Sequence, residues 1–139
     1  MVSKIFLDAN CLLDLILQRP GMEHAEVLMQ FGIAGEVYLY TTPSVLHIVS
    51  NYSRKAYGKP AAKQIIVTLL EDLQIIDCNH STAVEAANSR LEDLEDALQY
   101  YAAVAHGIDY FISADKQLKR NALPQLPVYT SKELSAVLA

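Results

Sequence analysis

Short apolar runs alternate with longer stretches of helical periodicity along this chain. Five runs have the length and composition of buried strands, at residues 5–7, 37–40, 73–76, 110–112 and 128–129. Apolar residues recur at helical spacing in the segments between and after them, at residues 11–17, 23–31, 43–55, 61–71, 92–106 and 132–138. Strands separated by helices of this length predict an α/β fold, a three-layer α/β/α sandwich around a mainly parallel sheet of about five strands.

Proline, glycine and hydroxyl residues mark the ends of several of these helices. Pro20 and Gly21 separate the first two helices. Thr42 followed by Pro43 has the pattern of an N-cap and first turn, and Gly107 is the expected stop of the helix over residues 92–106. The third helix is therefore predicted to begin directly after the second strand.

Two other helix starts are marked less sharply. Thr82 and Glu85 have the spacing of a capping box for a short helix, although Ser81 can serve as the cap instead. Ser131 is the candidate cap of the C-terminal helix. The predicted N-cap is therefore Thr82 or Ser81 for the short helix, and Ser131 for the C-terminal helix.

Composition narrows the class of protein. Of the 139 residues, 52% are hydrophobic and 19% are charged, which predicts one ordered domain over residues 1–139 and argues against disorder. No apolar run approaches the roughly 18 to 20 residues needed to cross a bilayer, so we expect a cytoplasmic protein. Cys11 and Cys78 lie far apart and show no zinc-like spacing, and we interpret both as free thiols.

Charge limits how the chain can bind nucleic acid. Its formal net charge is −5, which argues against binding through the overall field of the protein. Contacts to phosphates must therefore be local, and the alternative for any basic cluster is an ordinary solvated surface. The two candidate clusters are Arg54, Lys55, Lys59 and Lys63, and Lys116, Lys119 and Arg120.

The helix predicted after residue 92 is amphipathic. Leu94, Leu98 and Tyr101 recur on one side and form its predicted apolar stripe. Asp93 and Asp96 are three residues apart and stand on the opposite side, so both carboxylates can point the same way.

Acidic residues also follow two of the predicted strands. Asp8 ends the first strand and Asp115 comes just after the fourth, and in parallel sheets functional groups gather at the carboxyl ends of strands. If the helix over 92–106 begins beside that edge, Asp96 and Asp93 join them in one cleft. Carboxylates so close together repel one another unless a cation joins them, and hard oxygen ligands of this kind suit Mg²⁺ or Mn²⁺.

Each acid also has a structural alternative. Asp8 or Asn10 can cap the helix that follows the first strand. Negative charge at Asp93 and Asp96 is favoured by the dipole of the helix in whose first turn they lie, and Asp115 can be an ordinary loop acid. The functional interpretation depends on the combination, because capping alone does not require acids at two strand ends and on one helix face.

Three segments resemble the motifs of PIN domains. Residues 6–14 (FLDANCLLD) resemble the family's opening, in which a hydrophobic strand ends at the first metal-binding acid, here Asp8. Residues 94–107 (LEDALQYYAAVAHG) resemble the third acidic motif, and residues 110–115 (YFISAD) resemble the fourth. Asp14 is also typical of the opening segment, and we interpret it as structural. The order and separations of the motifs agree over nearly the whole chain.

The resemblance implies a metal-dependent ribonuclease that hydrolyses phosphodiester bonds of RNA. Asp8, Asp96 and Asp115 would be its catalytic and metal-binding residues, with Asp93 as a further ligand to Mg²⁺ or Mn²⁺. Two polar residues, Asn10 and Ser113, would orient these ligands. The candidate RNA contacts are Arg54, Lys55 and Lys116.

The resemblance also has implications for partners. Short stand-alone members of the family are often VapC-like toxins of toxin–antitoxin pairs, which implies a separate antitoxin protein. Members also tend to form homodimers. Tyr52, Tyr57, Ile65 and Leu69 are candidates for such an interface, and the protein core is the alternative for all four.

One element departs from the family pattern. Many PIN domains carry an acid in the helix after the second strand, whereas residues 44–51 (SVLHIVSN) contain none, and His47 or Ile48 takes that place. His47 is interpreted as a packing residue, with Mn²⁺ ligation as the alternative. The loss motivates a second hypothesis, a non-catalytic PIN-like module that binds RNA or a protein. A haloacid-dehalogenase-type phosphatase with Asp8 as nucleophile is remote, because that site requires an acid where Asn10 stands.

Overall fold

The computed structural model describes residues 2–138 and contains a five-stranded sheet in the order β3-β2-β1-β4-β5. Every neighbouring pair is parallel, as the alternation of strands and helices predicts. The strands are β1 (Ser3–Leu7), β2 (Val37–Thr41), β3 (Leu73–Ile75), β4 (Tyr110–Ile112) and β5 (Val128–Tyr129). The five predicted strands are therefore confirmed.

Eight helices belong to residues 2–138. They are α1 (Ala9–Ile16), α2 (Met22–Ile33), α3 (Pro43–Tyr57), α4 (Lys59–Leu69), α5 (His80–Ala87), α6 (Leu94–Ala105), α7 (Lys116–Arg120) and α8 (Ser131–Leu138). Seven correspond to predicted helices, whereas the short α7 was not predicted. In this part of the chain, every helix is too short or too polar to cross a membrane.

Helices cover both faces of the sheet, which confirms the three-layer sandwich. Successive residues of a strand point to opposite faces, and Ile5, Phe6 and Leu7 of β1 are all fully buried. The ring of Phe6 stacks on Phe111 of β4, with ring centroids 4.6 Å apart, and Tyr100 of α6 packs 5.4 Å from Phe111. The central strands therefore lie inside one continuous core.

The predicted apolar stripe of α6 is wrong. Leu94 is 56% exposed, whereas the face that enters the core carries Ala97, Tyr100 and Ala103, all fully buried. Small residues allow the helix backbone to approach the sheet closely, and Tyr100 fills the remaining space. Leu94 is the first residue of the helix, and at this end its side chain is exposed to solvent.

Two predicted caps are also wrong, and in both cases the helix begins earlier. The side chain of Asn79 caps α5 by accepting a hydrogen bond from the Thr82 backbone N–H, at 2.9 Å. Thr130 caps α8, since its hydroxyl oxygen accepts from the Glu133 N–H, while a Glu133 carboxylate oxygen accepts from the Thr130 N–H. This reciprocal pair is a capping box one residue before Ser131.

Other predicted features are confirmed. Thr42 caps α3 by accepting from the Val45 N–H, and Gly107 follows α6 with a φ of 68°, which favours glycine. Cys11 is buried and Cys78 half-buried, and both are free thiols. Local chain signals therefore locate most element ends to within a few residues.

Candidate active site

The candidate site lies where β1 and β4 end side by side. Leu7 and Ile112 are partners in the parallel register, so the next residues, Asp8 and Ser113, leave the sheet together. The Ser113 hydroxyl opposes the upward shift in the pKa of Asp8 by hydrogen bonding to its carboxylate. Pairing of the two strands therefore brings an acid and a hydroxyl from sequence positions 105 residues apart to one edge.

Asp8 both caps α1 and carries the first carboxylate of the site. Its Oδ1 accepts a hydrogen bond from the Cys11 backbone N–H at 2.9 Å. Desolvation nevertheless raises the pKa of Asp8 to about 7, with further contributions from the negative charges of Asp96 and Asp14. The capping interpretation is thus confirmed. The raised pKa also means that the Asp8 carboxyl group loses its proton less readily than an ordinary aspartate.

Asp96 lies in the first turn of α6 and is half-buried. Desolvation raises its pKa to about 6, and repulsion from Asp93 and Asp115 acts in the same direction, as does a side-chain hydrogen bond with Asp115. The charge of Asp96 therefore interacts with that of Asp8 and with that of Asp115. Of the acids predicted to share one cleft, Asp8 and Asp96 line it, and Asp93 and Asp115 do not.

Asp115 is the N-cap of the unpredicted helix α7. Its Oδ1 accepts from the N–H groups of Gln117 and Leu118, at 2.8 and 3.2 Å. Its own N–H donates to the Ser113 hydroxyl oxygen at 3.1 Å. This bond engages the Asp115 backbone and not its carboxylate, so the predicted role of Ser113 in orienting acidic ligands stays a prediction.

Asp93 is exposed and stands just outside α6 as its N-cap. Its Oδ1 accepts from the Asp96 N–H at 3.0 Å. The helix-face argument for Asp93 therefore fails in detail, because the residue precedes the first helical turn. Its predicted role as a metal ligand stays a prediction.

The carboxylates suit a hard cation by their chemistry. The caps formed by Asp8, Asp93 and Asp115 each engage only Oδ1, which leaves Oδ2 of each free of these bonds. A divalent cation would offset the repulsion that raises the pKa values of Asp8 and Asp96. Within residues 2–138, however, no three acidic, histidine or cysteine side chains stand in a ligating cluster, so binding requires rotation of side chains.

The cleft beside these acids has a volume of about 210 Å³. Asp8, Asp96 and Gln99 line it together with Ile48 and Tyr52 of α3, whereas Asp93 and Asp115 do not line it. The remaining lining residues are Ala9, Asn10, Leu13 and Glu95.

Ile48, not His47, stands at the position where many PIN domains carry their second acid. Ile48 is half-buried and lines the cleft, whereas His47 is exposed and lines a separate groove between α3 and α4. The interpretation of His47 as a packing residue is therefore wrong, since the residue is exposed and its Nε2 lies 3.5 Å from the Asn51 amide nitrogen. An aliphatic side chain replaces a carboxylate in the wall.

Asn10 and Asp14 are linked by an arginine that sequence reasoning did not single out. The Nε of Arg19 lies 2.9 Å from Asp14 Oδ1, and its Nη2 donates to the backbone oxygen of Asn10 at 3.1 Å. A Cβ at Gly21 would overlap the Asp14 carboxylate. Asp14 therefore holds the turn between α1 and α2, and Asn10 lines the cleft at its exposed rim.

Gln99 and Tyr52 are cleft residues that sequence reasoning missed. Gln99 is buried and follows Asp96 by three residues, and Tyr52 follows Ile48 by four. Both could have been found from the sequence, because each lies three or four residues after another cleft residue on the same helix face. Tyr52 was instead considered for a dimer interface.

The predicted RNA contacts occupy different places. Lys55 does not itself line the cleft, and its ammonium lies 5.9 Å from the ring centroid of Tyr52, which does. Lys116 is exposed and directly follows Asp115. Arg54 lines the α3–α4 groove instead. In the second basic cluster, Lys119 is paired with Glu133 at 2.8 Å.

The candidates for a dimer interface also separate. Leu69 is buried in the core, whereas Tyr52 and Tyr57 are 50% and 47% exposed. Ile65 is half-buried and lines an apolar groove between α1 and α4. The core interpretation thus holds for Leu69 and not for the two tyrosines.

Comparison with solved structures shows the same fold in toxin–antitoxin proteins. VapBC2 from Rickettsia felis, solved with a DNA fragment from its promoter, aligns with a TM-score of 0.72 at 17% identity over 92% of this chain and 98% of that chain. A toxin–antitoxin complex from Klebsiella pneumoniae aligns with a TM-score of 0.68 at 19% identity over 91% and 97%. VapC20 from Mycobacterium tuberculosis, a toxin that cleaves the sarcin–ricin loop, aligns with a TM-score of 0.66 at 14% identity over 87% and 97%.

Sequence comparison agrees with the motifs. No curated protein sequence is significantly similar to this chain. The sequence profile described as "PIN domain" matches residues 4–117, a span that contains Asp8, Asp96 and Asp115. The chain therefore belongs to the PIN domain family.

Proposed function

We propose that this protein is a divalent-metal-dependent ribonuclease. The observation that supports it most is the interaction of Asp8, Asp96 and Asp115 at the edge where β1 and β4 end. Capping alone does not require these acids to interact, and the pKa values of Asp8 and Asp96, raised by burial and by neighbouring negative charge, favour the uptake of a cation.

Asp8, Asp96 and Asp115 are the residues that would hold Mg²⁺ or Mn²⁺, with Asp93 beside them. The ion would activate water and stabilise the charge that develops on the phosphate. Ser113 keeps Asp8 and Asp115 in place through its hydroxyl. Asn10 sits at the rim with Arg19, which neutralises part of the local negative charge.

RNA would approach over the basic residues. Lys55 and Lys116 stand beside the cleft, and Arg54 belongs to a groove on another side of α3. Because the protein as a whole is negatively charged, these cations attract phosphate only in their own vicinity. We therefore expect phosphate contacts only where the RNA passes these residues.

The physiological role we propose is that of a toxin in a toxin–antitoxin pair, acting in the cytoplasm. The structurally similar proteins from Rickettsia felis and Klebsiella pneumoniae are described as toxin–antitoxin complexes, which supports an antitoxin partner for this chain. Tyr57 and the groove lined by Ile65 offer exposed apolar surface for a homodimer or for such a partner.

The direct test is incubation of purified protein with a mixed-sequence RNA pool and Mg²⁺ or Mn²⁺. We expect cleavage that EDTA and Asp8→Asn abolish. Asp77→Asn is the matched control, because Asp77 is an exposed acid close to the end of β3 that does not line the cleft, and it should cleave normally. Equal loss in both variants, or cleavage that persists in EDTA, contradicts the proposal.

A second candidate function is a non-catalytic module that binds RNA or protein. The aliphatic Ile48 in the cleft wall favours it, because a ligand position of many PIN domains is filled by a group that cannot bind a metal. The same RNA pool discriminates: retention of RNA with no cleavage in either metal supports the binding module.

A further inference from the structure

We propose that Tyr52 is a stacking platform for an unpaired nucleobase beside the scissile phosphate. This inference rests on the proposed function and adds a residue that positions the RNA in the cleft. Its basis is the chemistry of the wall opposite the acids.

The cleft lining is mostly polar, and α3 adds two side chains that carry apolar groups, Ile48 and Tyr52. Asp8 and Asp96 are among its polar residues, and Ile48 and Tyr52 lie on α3 one helical turn apart, on the same face. A nucleotide has both kinds of group, since its phosphate is charged and its base presents an apolar face. With the phosphate at the acids and a bound cation, the base of the same or the next nucleotide meets the α3 wall.

Tyr52 has the exposure that stacking requires. Tyr52 is 50% exposed and also lines the cleft, so part of its side chain is accessible to a ligand there. The hydroxyl of Tyr57, equally exposed on the same helix, donates to the Ile16 backbone oxygen at 2.7 Å. Among residues 2–138, Tyr52 makes no comparable hydrogen bond and its ring contacts Lys55. Its position is therefore not explained by a structural bond of that kind.

Lys55 places a positive charge beside Tyr52 that can attract the phosphate of a stacked nucleotide. It is three residues after Tyr52, and its ammonium lies 5.9 Å from the ring centroid. A cation at this rim can contact the phosphate on the far side of a base that covers the ring. Aromatic and basic side chains combined in this way are typical of surfaces that bind single strands.

The charge of the segment around Tyr52 favours an anionic ligand such as RNA over a basic protein partner. Between Glu36 and Glu71 the sequence contains no acidic residue, while it contains four of the chain's eleven basic residues. The α3 side of the cleft therefore attracts phosphate, whereas the opposite side needs a cation. In a base-paired duplex, bases are stacked on their own neighbours and cannot cover the ring.

Tryptophan fluorescence gives a direct readout, because the chain contains no tryptophan. Tyr52→Trp, combined with Asp8→Asn to prevent turnover, places one indole at the proposed platform. In Mg²⁺ buffer, we expect a single-stranded RNA of about eight nucleotides to quench its emission saturably. The matched control is Tyr57→Trp in the same background, where the same RNA should leave the emission unchanged. Equal quenching of both probes, or equal quenching by a duplex of the same sequence, overturns the proposal.

Affinity provides the second measurement. In the Asp8→Asn background, Tyr52→Ala should weaken binding of the same labelled RNA about 10-fold, whereas Tyr52→Phe should stay within about twofold, because stacking requires the ring and not the hydroxyl. Lys55→Gln should reduce the slope of log affinity against log salt by about 0.7. If Tyr52→Ala binds RNA normally, the platform does not exist, and exposure of Tyr52 then points to a protein partner.

The two proposals can fail separately. Binding and fluorescence are measured without turnover, so Tyr52-dependent binding by a protein that never cleaves RNA refutes the nuclease alone. Metal-dependent cleavage that is unchanged in Tyr52→Ala refutes the platform alone. Melting temperatures of all variants identify any that fail to fold.

Discussion

Asp8 combines two roles that oppose each other energetically. As the N-cap of α1 it stabilises the helix through the Cys11 N–H, while its place at the strand end puts it in the field of Asp96 and Asp14. A neutral acceptor would cap the helix as well, since asparagine and aspartate are about equally good caps. The negative charge is therefore not explained by capping, which is the strongest residue-level argument for a role in binding a cation.

Asp8→Asn should stabilise the metal-free protein, and only above acidic pH. The pKa of Asp8 rises from its ordinary 3.8 to about 7 on folding. Between about pH 4 and pH 7 the folded state holds a proton that the unfolded chain has released, so the free energy of unfolding falls as pH rises. We expect Asp8→Asn to raise the melting temperature by roughly 10 °C at about pH 8 and to leave it unchanged near pH 4.

Thermal melts of both proteins in EDTA across this pH range measure the effect. Adding Mg²⁺ at about pH 8 should raise the melting temperature of the parent protein and not that of Asp8→Asn. A constant difference between the two proteins at all pH values would show that Asp8 does not carry a costly charge.

Ile48→Asp should add a carboxylate to the wall opposite Asp96. Ile48 is half-buried in the cleft, so an acid there faces the others and increases their repulsion in the absence of metal. We expect a lower melting temperature in EDTA and a larger rise on addition of Mn²⁺ than in the parent protein. Calorimetric titration with Mn²⁺ tests this, with Ile48→Asn as the uncharged control. Identical metal affinities in all three proteins would place the cation away from α3.

At the scale of elements, the chain predicts strands and long helices well and helix starts poorly. The predicted apolar runs coincide with β4 and β5, because strands covered on both faces consist of nearly continuous hydrophobic residues. The start of α5 depends on one hydrogen bond that the Thr82 backbone N–H donates to the Asn79 side chain, and several polar residues nearby could serve as the cap instead. The short helix α7 has too few residues to show a period, so its presence follows only from the cap at Asp115.

The same limit applies to the candidate site. The three acids are recognisable from strand ends and family motifs, but the opposite wall is formed by α3, which is distant in sequence from α6. Helical spacing alone could not decide whether His47 or Ile48 faces the acids. That choice depends on the rotation of α3 about its axis, which is set by burial of Val45 and Val49 against the core.

Tyr100→Phe should destabilise the connection between α6 and the segment before β5. The Tyr100 hydroxyl donates to the Leu126 backbone oxygen and accepts from the Leu123 N–H, both at 2.7 Å. Loss of the hydroxyl leaves both backbone groups without this partner, so we expect the free energy of unfolding to fall by about 2 kcal/mol. Denaturation in urea measures it, and the half-buried neighbour Tyr101→Phe should change little. Equal effects of the two variants would mean that the bonds are replaced by water.

At the scale of the whole molecule, charge is divided between two regions. Residues 37–70 contain four basic and no acidic residues, whereas the other parts of the chain hold all sixteen acids. This segment forms β2, α3 and α4, which the fold places next to the acidic end of β1. An acidic protein can therefore still present a surface that attracts phosphate on one side of its cleft.

The groove between α3 and α4 extends that surface, and its contribution to RNA binding should depend on salt. Arg54, Lys59 and Lys63 line the groove together with His47. Replacing the three basic residues with glutamine in the Asp8→Asn protein should reduce the slope of log affinity against log salt by about 2, because each phosphate contact in a single strand contributes about 0.7. The comparison variant carries the same loss of charge elsewhere, at Lys4, Arg90 and Lys132, and should keep the parent slope for an RNA long enough to reach the groove. A short RNA confined to the cleft should bind both triple variants alike, whereas equal slopes for the long RNA would show that the groove serves a partner other than RNA.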